Sequence, residues 1–217
     1  MTEDVFLNTD FHKYHFPENV MNMFSSILQD LSSTGDLPAR SLSSHIDGFV
    51  RGHGSLGTRI IEFDEEQHFT PFRRITLEHL SKLSQIIPIK YLPHLLECCN
   101  KTDCFNRMLN KHRIKAKVQS GPQSIEEFKR LVELQGTENN GYIKPKRGFD
   151  FLGGRIAQRA YYDTLRDVAH LAKENLNLKC ALRFTKYEFE DRDGRDFLSI
   201  DDKSLCSLIE HRLEEII

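Results

Sequence analysis

HIDGFVRGHGSLGTRIIEFDEEQHF, residues 45–69, is the stretch on which the fold turns. Its two ends, HIDGFVR (45–51) and RIIEFDEE (59–66), read as short strands, and GHGSLG (52–57) between them is a glycine-rich turn of the kind that closes a hairpin. Side chains two apart on a strand share a face, so Glu62, Asp64 and Glu66 project together, and Asp47 on the partner strand can lie opposite them. Ile60, Ile61 and Phe63 make the second strand apolar on both sides before its acids begin. The acids therefore emerge from a buried strand, which weighs against the plainer reading of a solvated acidic strand end. Gln67 and His68 add an amide and an imidazole at the same edge.

Three or four carboxylates converging at a strand end repel one another unless a hard cation neutralises them. Oxygen-only ligands suit Mg²⁺, which keeps several waters and takes one or two carboxylates plus the phosphate oxygens of a substrate. Such an ion polarises a scissile phosphate, lowers the pKa of an attacking water and stabilises the leaving oxygen. Asp47, Glu62 and Asp64 are the candidate metal ligands, with Gln67 and His68 as further catalytic candidates.

Outward from this hairpin, a first helix is signalled over 17–31: Pro17 opens it where a missing N–H costs nothing, and Val20, Met23, Phe24, Ile27, Leu28 and Leu31 recur at helical spacing. Residues 70–157 change character. They carry short helical patterns (Leu77, Leu80, Leu83; Leu92, Leu95, Leu96), a capping box at Ser124 and Glu127 before a run ended by Gly136, and a loop-like NNGYIKPKRG at 139–148. Then 157–175 reads as a helix and 178–189 as a strand on which Leu178, Cys180, Leu182 and Phe184 alternate. Asp193-Gly194 suggests a closing hairpin, and Asp201 or Asp202 can cap a final helix. With 70–157 set aside as a helical insertion, residues 1–69 and 158–217 give an α/β core: helix, two strands with room for a short third before them, helix, strand, a mixed sheet flanked by helices.

Composition fits one soluble domain of 217 residues, 39% hydrophobic and 29% charged. The opening MTEDVFLNTDFHKYHF has acids where a secretion signal is basic, and no apolar run nears the ~20 residues a membrane span needs, so a cytoplasmic protein is expected. Five cysteines, Cys98, Cys99, Cys104, Cys180 and Cys206, have no framework spacing and read as free thiols of a reducing compartment. His94, Cys98, Cys99, Cys104 and His112 match no common zinc pattern. GHGSLG lacks the Lys-Ser/Thr of a phosphate-binding loop. Net charge is −2, but Lys101–Lys117 holds six Lys/Arg against one acid, and Lys144–Arg159 five against one. A near-neutral total thus leaves room for a basic face beside an acidic pocket.

The order of elements and the acidic strand together resemble the PD-(D/E)xK nuclease superfamily. IIEFDEEQHF (60–69) is similar to the "IEFDGxQHF" wording of Vsr-like and homing or restriction-type members, and RAYYDTLRDVAHLAKENLNLKCALRF (159–184) to the segment that follows it there. The resemblance implies an αβββαβ core, Asp47 and Glu62 as the metal-binding pair, and Mg²⁺-dependent hydrolysis of double-stranded DNA. It also implies a role for Asp163 and Asp167, with Arg166 between them, as the acids of the later helix. The lysine the motif places two residues after Glu62 is Asp64 here. His68 fits the histidine that takes over in Vsr-like variants, with Gln67 next, or a lysine enters from the loop as Lys144 or Lys146.

A core that positions a phosphate knows little of sequence, so specificity needs base contacts from added elements. Arg107, Lys111, Arg113, Lys115 and Lys117 in the insertion, and Asn140, Lys144, Lys146 and Arg147 in the loop, are the expected DNA contacts. Arginine and lysine read guanine, asparagine reads adenine, and any one of these side chains can equally serve a phosphate. A palindrome is read most simply by a homodimer, since protein and DNA two-folds then coincide.

Overall fold

The computed structural model of the chain describes residues 14–37, 46–51, 57–83, 91–112, 126, 128, 130, 133, 141–175, 177–188 and 201–216. Helix α1 (Glu18–Asp30) follows Pro17 as the periodicity predicts, and its buried face is Val20, Met23, Phe24 and Ile27. Strands β1 (Gly48–Arg51) and β2 (Thr58–Asp64) pair antiparallel, with Gly48 opposite Ile61. Strand β3 (Leu178–Thr185) joins β2 in parallel, giving the order β1-β2-β3. The mixed sheet and helical flanks are those expected. Among the described residues only two strands precede the crossover.

β2 ends at Asp64, two residues short of the expected limit: Glu66–His68 form a 3-10 turn that carries Glu66 off the strand. A parallel partner lies far along the chain, and α2 (Pro71–Ser81), α3 (Leu92–Asn100), α4 (Thr102–Lys111) and α5 (Gly154–Val168) fill that crossover. Thr70 caps α2 by accepting the Arg73 N–H at 3.2 Å, and Pro71 occupies its first turn. The described part of 70–157 is not a satellite: Phe72, Leu77, Leu80, Leu95, Phe105 and Met108 share one core with α1 and α5. An apolar face of α2 at helical spacing has to be buried somewhere, and it packs on α5, α3 and α1.

Helix α5 starts three residues earlier than its periodicity suggests, and glycine is the reason. Gly153 holds φ 96° just before the first turn, and a β-carbon on Gly154 would lie 1.9 Å from the Phe149 carbonyl oxygen. α5 gives way at Val168 to short 3-10 turns, Ala169–Leu171 and Lys173–Asn175, which lead into β3. The expected capping box and the 193–194 hairpin lie outside the described residues. A last helix, α6 (Asp202–Ile216), lays Leu208 and Leu213 against Ile61, Leu182 and Phe184 on one face of the sheet.

The alternation expected along β3 is broken once. Between the pairs Arg59↔Lys179 and Ile61↔Leu182 strand β3 advances three residues while β2 advances two. This bulge puts one extra residue on β3. Beyond it Leu182 and Phe184 face α6, whereas Cys180 joins the helical core and Ala181 packs with Ile60. The same offset sets Arg183 beside Glu62, on the face that carries the acids.

Candidate active site

Glu62 and Asp64 lie two apart on the central strand and share the face turned toward α5. From α5, Asp163, Arg166 and Asp167 meet them at helical spacing, α2 adds Arg73, and the 3-10 turn adds His68. Glu62, Asp64, Asp163, Asp167, Arg73 and Arg183 are all buried to 2% exposure or less. Arg183 is the hub: Nη1 donates to Asp64 Oδ1 at 2.6 Å, Nε to Asp167 Oδ1 at 2.5 Å and Nη2 to the Asp163 carbonyl at 3.0 Å. Arg73 takes the other Asp167 oxygen at 2.7 Å and donates to Thr164 and Thr76. Buried charges persist only when paired and hydrogen-bonded, and this set meets that condition at nearly every atom.

Two buried atoms of the site are left over, Glu62 Oε1 and Arg166 Nε. Glu62 Oε1 is buried and has no hydrogen-bond partner, while Oε2 lies 3.4 Å from Arg166 Nη1. Burial pushes the Glu62 carboxyl from 4.5 up to about 8, against the pull of Arg166 and Arg183. Asp163 goes the other way. Burial alone would raise it, but the His68 ring, Arg183 and Arg166 outweigh burial and hold it well below the usual carboxylate range. Burial likewise opposes the charge on Arg183, and Asp167, Asp64, Asp163 and Glu62 together more than restore it.

His68 Nδ1 lies 2.8 Å from Asp163 Oδ2 and 3.3 Å from Asp64 Oδ1. Two carboxylates beside Nδ1 require that nitrogen to carry a proton, so Nε2 is the ring nitrogen left to exchange one.

The sequence-predicted residues divide sharply. Glu62, Asp64 and His68 come together, with the three α5 residues. Asp47 does not join them: it is exposed, and its Oδ2 accepts the Phe63 N–H at 2.8 Å, extending the β1 ladder through a side chain. The charges that act on Glu62 are Arg166, Arg183, Asp163 and Asp64. Gln67 turns outward, its amide on Glu65 at 3.1 Å and its carbonyl accepting from Tyr142. Glu66, expected beside Glu62, pairs instead with Lys186 at 2.7 Å and faces Lys111. Two cations the sequence reading passed over, Arg73 and Arg183, complete the site. Arg183 was signalled by a charge in the otherwise apolar CALRF, but strict alternation misplaces it by one residue.

Of the expected DNA contacts, Arg113, Lys115, Lys117 and Asn140 lie outside the described residues. Arg107 is exposed and lies over the Tyr187 ring at 5.2 Å. Lys111 is bound to Glu65, and Arg147 is held two-pronged by Asp36 at 2.7 and 2.9 Å. Lys144 is exposed, and Lys146 closes a tight backbone bridge with Phe149. Cys98, Cys99, Cys104 and Cys180 are buried free thiols.

Among the described residues no group of three or more His, Cys, Asp or Glu side chains is placed to hold a metal ion. Magnesium asks for less, since one or two carboxylates suffice when water and a phosphate supply the rest. Glu62, with its unpartnered Oε1, and Asp64 beside it fit that smaller demand. No helix among the described residues is long and apolar enough to cross a membrane. No family model, curated protein or solved structure matches the chain.

Proposed function

We propose that this chain is a metal-assisted endonuclease of the PD-(D/E)xK kind acting on double-stranded DNA, restriction-like and homodimeric, with its site on Glu62, Asp64, His68 and Asp163. The observation that carries the reading is Glu62 Oε1, a buried carboxylate oxygen without a partner in a network whose other carboxylates are paired. A buried unsatisfied acceptor is costly, and such groups persist mainly where function needs them. With the Glu62 proton in place three carboxylates face three guanidiniums, so a cation bound at Glu62 would take the place of that proton.

Glu62 and Asp64 would hold Mg²⁺, which supplies electrophilic pull on a phosphate and a more acidic water. Asp163 orients the His68 ring so that Nε2 can take the proton of the attacking water. Arg166, whose Nε is buried without a partner, offers an N–H to charge building on the phosphate. Arg183 and Arg73 hold the Asp64 and Asp167 side chains in place. In this reading His68 performs the work that the motif gives to lysine.

One observation favours a second reading, a nucleic-acid-binding module on a decayed nuclease fold: every other carboxylate of the network already has its cation. Plasmid DNA with Mg²⁺ separates the possibilities. Linear fragments support the restriction-like reading, nicked circles support a strand-nicking enzyme, and a shifted but intact band supports the module. An unshifted, uncut plasmid under varied salt and metal rejects all of them.

A further inference from the structure

Helix α5 continues past the active site toward its own N-terminus, and its next residue on that side is Arg159, one turn before Asp163. Arg159 Nη1 is buried and has no hydrogen-bond partner, and no carboxylate among the described residues pairs with it. The guanidinium stands against the hydroxyl of Tyr142, which itself donates to the Gln67 carbonyl at 3.1 Å. The Tyr142 ring stacks flat on His112, centroids 3.4 Å apart and planes 3° from parallel. Burial, then the charges of Lys111 and Arg159, push the His112 ring down to about 4, so it is neutral near pH 7 and adds no competing charge. On the same side, Arg166 also keeps a buried N–H without a partner. Two incompletely bonded guanidiniums thus flank the Asp163–His68 pair.

We propose that Arg159, backed by the Tyr142–His112 stack, is an anion subsite that holds a phosphodiester of the bound strand away from the scissile bond. The proposal rests on the nuclease reading for the identity of the strand, while the subsite itself is a property of these side chains. Seven residues of helix separate Arg159 from Arg166, roughly 10 Å along the axis. A guanidinium fork matches two phosphate oxygens, and the neutral stack beneath it fixes its direction without neutralising it. None of the lysines between 101 and 117 is needed for this contact.

The test uses the full chain carrying Glu62→Gln, so that DNA is bound and not cut. Duplex affinity is measured by fluorescence anisotropy over a range of salt, with and without Arg159→Gln. Loss of Arg159 is expected to weaken binding on the order of tenfold and to lower the log–log salt slope by roughly 0.9. Unchanged affinity and slope overturn the proposal while leaving the nuclease reading intact. Should Arg159→Gln fail to fold, Arg159→Lys decides: the slope stays, because the charge stays, and affinity falls because the fork is gone. Full wild-type affinity in that variant is equally fatal. If the chain binds no duplex at all, the nuclease reading falls by itself, and inorganic phosphate decides the subsite. A saturable rise in thermal midpoint that Arg159→Gln abolishes upholds it; the same response in both chains sinks it.

Discussion

Glu62→Gln should stabilise this protein at alkaline pH and leave it nearly unchanged in acid. Glu62 is 2% exposed, and its carboxyl is pushed from 4.5 to about 8. Below pH 4.5 the group is protonated in folded and unfolded chains alike and costs nothing. Between 4.5 and 8 the unfolded chain gives up a proton that the folded chain retains, so stability falls as pH rises through that window. Above 8 the folded site carries the buried charge and the loss is complete. At about 1.36 kcal/mol per pH unit the full difference is roughly 5 kcal/mol, an upper bound because the protein relaxes around the charge. Glutamine also forgoes the Arg166 contact at 3.4 Å, though Arg166 keeps Asp163 at 2.6 Å. A net gain of about 2–4 kcal/mol above pH 8 is the expected result, against a total stability of roughly 5–15 kcal/mol. Urea unfolding at pH 5, 7 and 8.5 in the presence of a chelator measures it, with equal slopes confirming the same folded and unfolded states. A gap that stays constant with pH, or a wild-type chain that is the more stable at pH 8.5, refutes the reasoning about this carboxylate. Mg²⁺ added at pH 8.5 should narrow the gap by stabilising the wild type alone.

Three further outcomes are expected. His68→Ala should slow plasmid cleavage by about 10²–10⁴ with little change in the Mg²⁺ concentration required; cleavage at the wild-type rate removes His68 from the chemistry. Asp47→Ala should cost about 1 kcal/mol through the lost Phe63 hydrogen bond yet leave cleavage within a few-fold of wild type, and complete loss of cutting in a folded variant would restore Asp47 to the metal site. Arg183→Ala strands Asp64 and Asp167 in the interior and should lower stability by about 3–5 kcal/mol, a figure that a thermal melt unchanged within 2 °C would exclude.

Much of this was legible in residues 45–69. Apolar Ile60, Ile61 and Phe63 bracketing acids pointed to a buried strand, and Glu62 and Asp64 do lie 2% exposed in the sheet. Asp163, Arg166 and Asp167, which the resemblance singled out on the later helix, lie around the β2 acids, Arg166 beside Glu62 and Asp167 joined to Asp64 through Arg183. Asp47 went astray because pairing fixes the position of a Cα atom and not the direction of its carboxylate, which found a nearer donor in the strand backbone. Arg183 was hidden by the bulge, since period-2 reasoning fails wherever one strand takes an extra residue. Arg73 belongs to a segment read as an insertion, and nothing local in PFRRITL says which of its two arginines faces inward. Long-range packing decides that.

The wide separation of β2 from β3 has a consequence in time. Asp64 and its counter-cation Arg183 are 119 positions apart. At the usual rates of synthesis, about 5–20 residues per second, roughly 6 to 24 seconds pass between their leaving the ribosome's catalytic centre. Through that interval the central strand has neither its parallel neighbour nor the arginine that neutralises it. The nascent β1–β2 hairpin must wait as an acidic ribbon whose like charges discourage premature docking against apolar surfaces. The carboxylates that balance the finished site would then also keep its half-made sheet dissolved until the rest of the chain arrives.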